Sequence, residues 1–153
     1  MKILLSIDID GTLETGDPPG PVTLEMVRRA IDLGCIVGSA SDRSVRAQAM
    51  MWEKAGIEVD FTVNKHLLSE IKERFEADYY LHMGDRNLDE QFAREAEMDF
   101  MWQDEAATEP WIAMLKGEQP QTKSQKPEEL PSDTGQSGQP SPDQGVAYEY
   151  GLG

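Results

Sequence analysis

Residues 3–13 read ILLSIDIDGTL: an almost wholly apolar run that ends in two carboxylates, Asp8 and Asp10, followed by Gly11 and Thr12. A short apolar run closed by a glycine is the pattern of a strand buried on both faces, which is how strands of a helix-covered parallel sheet read. Residues 3–9 are therefore expected to form such a strand. The carboxylates at its end then lie where open parallel sheets hold ligands, beyond the carboxyl ends of the strands.

Outward from this stretch, short apolar runs alternate with segments of helical period. Thr23 is placed to cap a helix whose Leu24, Val27 and Ile31 share one face, and Gly34 stands at its end. A strand at 35–40 follows. Val45, Ala49 and Trp52 mark the next helix, closed by Gly56, and the alternation of Ile57, Val59, Phe61 and Val63 with polar residues indicates a half-exposed strand near an edge. Leu67, Leu68, Ile71 and Phe75 make a further helix, then a strand at 79–83, a helix around Phe92 and Ala96, and a last strand at 99–102. Residues 108–116 are expected to close the domain, with Trp111 and Leu115 packing back on it. The pattern predicts an α/β, three-layer Rossmann-like fold with a five-stranded parallel sheet.

The chain has 153 residues, 29 acidic against 14 basic, for a formal charge of −15. A surface this acidic repels phosphate backbones and anionic lipid, which disfavours nucleic acid and membrane as partners. Residues 118–153 are rich in Pro, Gly, Gln and Ser and hold six acids and two lysines, −4 of the total. They are expected to be a disordered tail behind a domain of residues 1–117. The single cysteine, Cys35, excludes an internal disulfide, and no signal segment or apolar span is visible. The expectation is a soluble protein of a reducing, cytoplasmic compartment.

The chemistry gathers at the strand ends. After the first strand come Asp8, Asp10, Gly11 and Thr12; after the second, Ser41, Asp42 and Arg43; before the fourth, Asn64, Lys65 and His66; after the fourth, Gly84, Asp85 and Asp89. Two carboxylates about 4 Å apart repel by on the order of 4 kcal/mol at an effective dielectric near 20. A divalent cation, a lysine or a shared proton offsets that, and oxygen donors suit magnesium. Gly11 permits a turn whose following amides can face an anion.

This constellation resembles the haloacid dehalogenase superfamily in its phosphatase branch, over residues 1 to about 105. DIDGTL matches the DxDGT/V motif, Ser41 the hydroxyl after the second strand, Lys65 the third-motif lysine and GDRNLD the GDxxxD motif. Asp42 stands where the family often has glycine. The resemblance implies a first strand at the centre of the sheet with the fourth beside it, and a magnesium-dependent phosphomonoester hydrolase working through an aspartyl-phosphate. It makes Asp8 the nucleophile and Asp10 the general acid and base, with a pKa raised by its acidic surroundings. Ser41, Lys65, Gly11 and Thr12 would bind the substrate phosphate, and Asp8, Asp10 (through its main-chain carbonyl), Asp85 and Asp89 would hold Mg2+.

Arg43 and Arg86 either meet substrate or balance acids; His66 and His82 are not expected to be catalytic, and Cys35, Trp52, Trp102 and Trp111 read as core or half-buried packing residues. Neither gap that houses a cap in this superfamily is long, so the chain reads as capless, with a small phosphorylated sugar or metabolite as the leading substrate. A capless chain leaves open a homo-oligomer in which a neighbouring subunit serves as the cap. The alternatives are a phosphotransferase or polynucleotide 3'-phosphatase, or an interaction module that binds metal and phosphate without turnover. A receiver domain would place a second acidic strand end before the hydroxyl, whereas here Ser41 and Lys65 precede Asp85.

Overall fold

β1 (Ile3–Ile7) is the middle strand of five, all parallel. It pairs with β2 (Ile36–Ser41) on one side and β4 (Tyr79–Gly84) on the other, while β3 (Phe61–Asn64) and β5 (Asp99–Trp102) form the edges. All five residues of β1 are buried, as a strand covered on both faces requires. The computed structural model describes residues 1–117; the tail expected at 118–153 lies outside the described residues.

Helices cover both faces, because alternate strand side chains point to opposite sides. Ile3, Leu5, Ile7, Val37, Leu81, Met83 and Met101 meet Val27 and Ala30 of α1 (Leu24–Asp32) and Trp52 of α2 (Val45–Ala55). Leu4, Ala40, Phe61 and Val63 meet Leu68 and Ile71 of α3 (Leu68–Arg74) and Ala93 of α4 (Asn87–Glu95). Two short helices follow β5. α5 (Gln103–Ala106) was not expected, and α6 (Pro110–Leu115) seats Trp111 in the first cluster. Among the described residues no helix is long and apolar enough to cross a membrane.

Several expectations are corrected in detail. β1 ends at Ile7 rather than Ile9, since the Ile9 carbonyl instead accepts from Thr12 and Leu13 and turns the chain. β3 begins only at Phe61, because the Asp60 carboxylate takes the Val37 amide at 2.9 Å that a longer strand would have bonded. Val45 is 45% exposed, so it is not core, whereas Trp102, 38% exposed, packs edge-on against Phe100 with ring centroids 4.8 Å apart. The buried face of α2 is carried by Gln48 and Trp52.

Gln48 explains how a polar residue came to be buried. Its amide donates to the carbonyls of Arg43 (2.9 Å) and Val63 (3.0 Å), and its oxygen accepts from Ser39 Oγ (2.7 Å), which in turn accepts from Trp52 Nε1 (2.9 Å). Asn64 Nδ2 donates to the Arg43 carbonyl as well, at 2.8 Å. The loop that follows β2 is thus pinned from two neighbouring elements, which sets the positions of Ser41 and Arg43.

Candidate active site

Asp8 follows β1 directly, Asp85 follows β4, and Asp89 sits in the first turn of α4. Because β1 and β4 are neighbours in register, with Ile7 opposite Met83, their ends converge. Oxygen atoms of the three carboxylates lie within 4.8 Å of one another. Lys65, 3% exposed in the 3-10 turn after β3 (Lys65–Leu67), places its Nζ 3.2 Å from Asp8 Oδ1 and 2.9 Å from Asp89 Oδ1. One cation therefore bridges carboxylates from two different elements.

Two glycines make room for this. At Gly11, where φ is +81°, a Cβ would stand 1.8 Å from Asp85 Oδ2, and at Gly84 it would stand 2.3 Å from Asp89 Cγ. Gly11 is thus required twice, for a left-handed backbone and for close approach of a carboxylate. Asp85 Oδ1 is buried and has no hydrogen-bond partner. A buried carboxylate oxygen without a donor is costly, and a cation seated among Asp8, Asp85 and Asp89 would satisfy it.

The electrostatics follow from this crowding. Burial, reinforced by the Asp89 charge and by neighbouring Asp85, raises the Asp8 carboxyl from 3.8 to about 7 against the pull of Lys65. Burial alone would raise Asp89 too, but the hydrogen bond and charge of His82, with Lys65, hold it below its ordinary value. Burial would lower Lys65, yet Asp89 and Asp8 outweigh it and raise the ammonium's pKa. Asp8 is thus the carboxylate of the cluster that most readily takes a proton, and Asp89 the one held ionised beside Lys65.

Asp10 lies apart from the cluster and is not among the three clustered carboxylates. Its Oδ1 accepts from Arg43 Nη2 at 2.6 Å and from the Asp17 amide at 2.8 Å, and its Oδ2 accepts from Arg43 Nε at 3.3 Å. The Arg43 hydrogen bond holds the Asp10 carboxyl below the usual range. This reverses the expectation of a raised pKa: the carboxylate faces a guanidinium rather than the other acids.

The amides after Gly11, expected to face an anion, are likewise occupied. The Thr12 and Leu13 N–H groups both donate to the Ile9 carbonyl, at 3.1 and 2.9 Å, and the Gly11 N–H donates to the Pro18 carbonyl at 2.6 Å. Thr12 instead turns its hydroxyl to Asp8 Oδ2, at 3.4 Å. Ser41 is buried beside the site, its Oγ accepting from the Arg43 amide at 3.0 Å. Asp42, 66% exposed, points a carboxylate to within 3.8 Å of Lys65.

One member of the site was missed in the sequence. His82 is fully buried in β4, with Nε2 3.0 Å from Asp89 Oδ1 and Nδ1 2.9 Å from Ser6 Oγ. An ionised carboxylate only accepts, so Nε2 carries the proton between them. The signal was the register: Ser6 and His82 are paired residues of β1 and β4, on the face that also carries α4, but a histidine inside an apolar strand gives no sign of that on its own. If the three carboxylates hold a divalent cation, replacing His82 by Leu is expected to weaken its binding by about tenfold or more, as loss of such an orienting bond does elsewhere. His82→Gln, which keeps an N–H donor, should lose less. Calorimetry with MgCl2 is the check, and an unchanged Kd in the Leu variant would show that the bond does not orient Asp89.

No family model matches the chain, and neither a curated protein nor a solved structure does.

Proposed function

We propose that the chain is a magnesium-dependent phosphomonoester hydrolase of the haloacid dehalogenase type, with Asp8 as nucleophile and a small phosphorylated compound as substrate. The observation that carries this reading is the meeting of Asp8, Lys65, Asp85 and Asp89 at adjacent strand ends, with an unsatisfied Asp85 oxygen turned into a buried place. A structural ion pair needs one carboxylate for one lysine. Three carboxylates around a single ammonium leave negative charge to be balanced by a cation.

Asp8, Asp85 and Asp89 would hold Mg2+, with the Asp10 carbonyl as the fourth donor that the resemblance implies. When bound, the ion supplies positive charge that lets a carboxylate approach a phosphate dianion. Asp8, ionised, attacks phosphorus as the ester oxygen departs, and the mixed anhydride so formed is hydrolysed by water in a second step. Lys65, which reaches the nucleophile, would hold a phosphoryl oxygen, as would the Ser41 hydroxyl.

Asp10 is the candidate to protonate the departing oxygen and then to take a proton from the attacking water. In the substrate-free protein it is locked on Arg43, so this role requires the guanidinium to turn toward the phosphoryl group first. Arg43 thereby couples substrate arrival to release of Asp10.

The first test is hydrolysis of an aryl phosphate with magnesium and with chelator. Magnesium-dependent release of phosphate is expected, and its absence across a panel of phosphomonoesters would sink the proposal in favour of a binding module. Asp10→Asn should retain magnesium and phosphate binding while turnover falls by about 10²–10⁴-fold. Unchanged turnover in that variant would remove Asp10 from acid-base work.

A further inference from the structure

Next to the site, and sharing Arg43 with it, is a groove of about 640 Å³ between the flap after β1 and the exposed side of α2. Its walls are Thr15, Leu24, Ala47, Met50, Met51 and Ala55, with Arg43 and Lys54 also on the lining. The flap side is anchored: Gly16 packs where a Cβ would stand 2.2 Å from the Ile9 carbonyl, the Asp17 amide bonds Asp10, and Thr15 Oγ1 lies 3.1 Å from Met51 Sδ. The groove is therefore tied to the residues of the reaction.

Its chemistry is unlike that of the surrounding surface. Most of the lining is aliphatic or thioether, and Met50 is 56% exposed there, although an exposed methionine gains nothing from water. In a chain of formal charge −15, both charged residues on the lining are cations. Arg43 is compensated by Asp10, whereas Lys54 makes no ion pair among the described residues. A polyhydroxylated sugar finds few hydrogen-bond partners on such walls, and burying its hydroxyls against methionine would cost free energy.

We infer that this groove is the leaving-group subsite, and that it takes an apolar, preferably aromatic, group carrying a second anionic substituent that reaches Lys54. This rests on the phosphohydrolase reading and narrows its substrate from phosphorylated metabolites in general to amphipathic, doubly anionic phosphomonoesters. The volume is in the range of small-molecule sites. Methionines let one groove accommodate related ring systems, and Lys54 supplies the charge selection.

The test uses the full chain with magnesium and compares kcat/KM for 4-(phosphonooxy)phenylacetate, p-nitrophenyl phosphate and glucose 6-phosphate. The two aryl esters should exceed the sugar ester. In Lys54→Glu the ratio of the carboxylated to the nitro substrate should fall by about tenfold, the size of one charge-assisted contact. Measuring both substrates on one variant cancels any general loss of folded enzyme. A preference for glucose 6-phosphate, or a ratio untouched by Lys54→Glu, would overturn the inference.

If no phosphomonoester is turned over, the hydrolase reading fails by itself, and the groove is judged by binding. Titrating 4-hydroxyphenylacetate into protein labelled at its methionine methyls should shift Met50 and Met51 and leave buried Met83 and Met101 in place. No shift at Met50 and Met51 would overturn the groove assignment independently of catalysis.

Discussion

On the proposed hydrolase mechanism, Asp8→Asn is expected to abolish magnesium-dependent phosphate release, by on the order of 10⁴-fold or more, because an amide could not form the covalent intermediate that would divide the reaction into two steps. Its second signature is in stability. The folded Asp8 carboxyl titrates near 7 against an ordinary 3.8. A carboxyl raised in this way favours the folded state fully below about pH 4, and the contribution is lost as pH rises through about 7. The metal-free wild type should accordingly lose stability between these values, and Asp8→Asn should lose less. Thermal melts in chelator from pH 4 to 8, with activity assays in magnesium, report both. Parallel melting curves for the two proteins, or equal rates, would remove Asp8 from its assigned place.

Lys65→Met has the other large expected effect. Lys65 is 3% exposed and its ammonium is the only side chain paired with both Asp8 and Asp89 among the described residues. Truncating one partner of a buried ion pair typically costs about 3–5 kcal/mol, since the remaining charge stays buried without compensation. The Met variant should therefore melt well below wild type in chelator. Magnesium should then recover more stability in Lys65→Met than in wild type, because the cation replaces the missing positive charge among the same carboxylates. On the proposed mechanism activity should stay low even when the fold is restored, because the ammonium proposed to hold a phosphoryl oxygen is missing. Equal magnesium stabilisation of the two proteins would mean that Lys65 and the cation do not share one electrostatic site.

The fold was largely legible because its signals are local. The buried run of residues 3–7, the Thr23 cap on the Met26 amide and the left-handed Gly56 at the end of α2 each act over a few residues. Failures came where a distant group competed. The β3 start moved because Asp60 reaches across to Val37, and the buried face of α2 shifted because Gln48 finds carbonyls on two other elements. Neither competition leaves a trace in hydrophobic period.

The sequence by itself determined a parallel α/β chain with acids, a hydroxyl and a lysine at its strand ends, because residue type and its spacing along each strand are local properties. Only the tertiary structure decided what those groups face. It set Asp10 against Arg43 and away from the other acids, closed the Gly11 amide on the flap and the Thr12 amide on the Ile9 carbonyl, and brought His82 through the strand register onto Asp89. The reason is physical: a carboxylate's charge state and partners depend on distances of a few ångströms between segments tens of residues apart, and those distances exist only once the sheet has assembled.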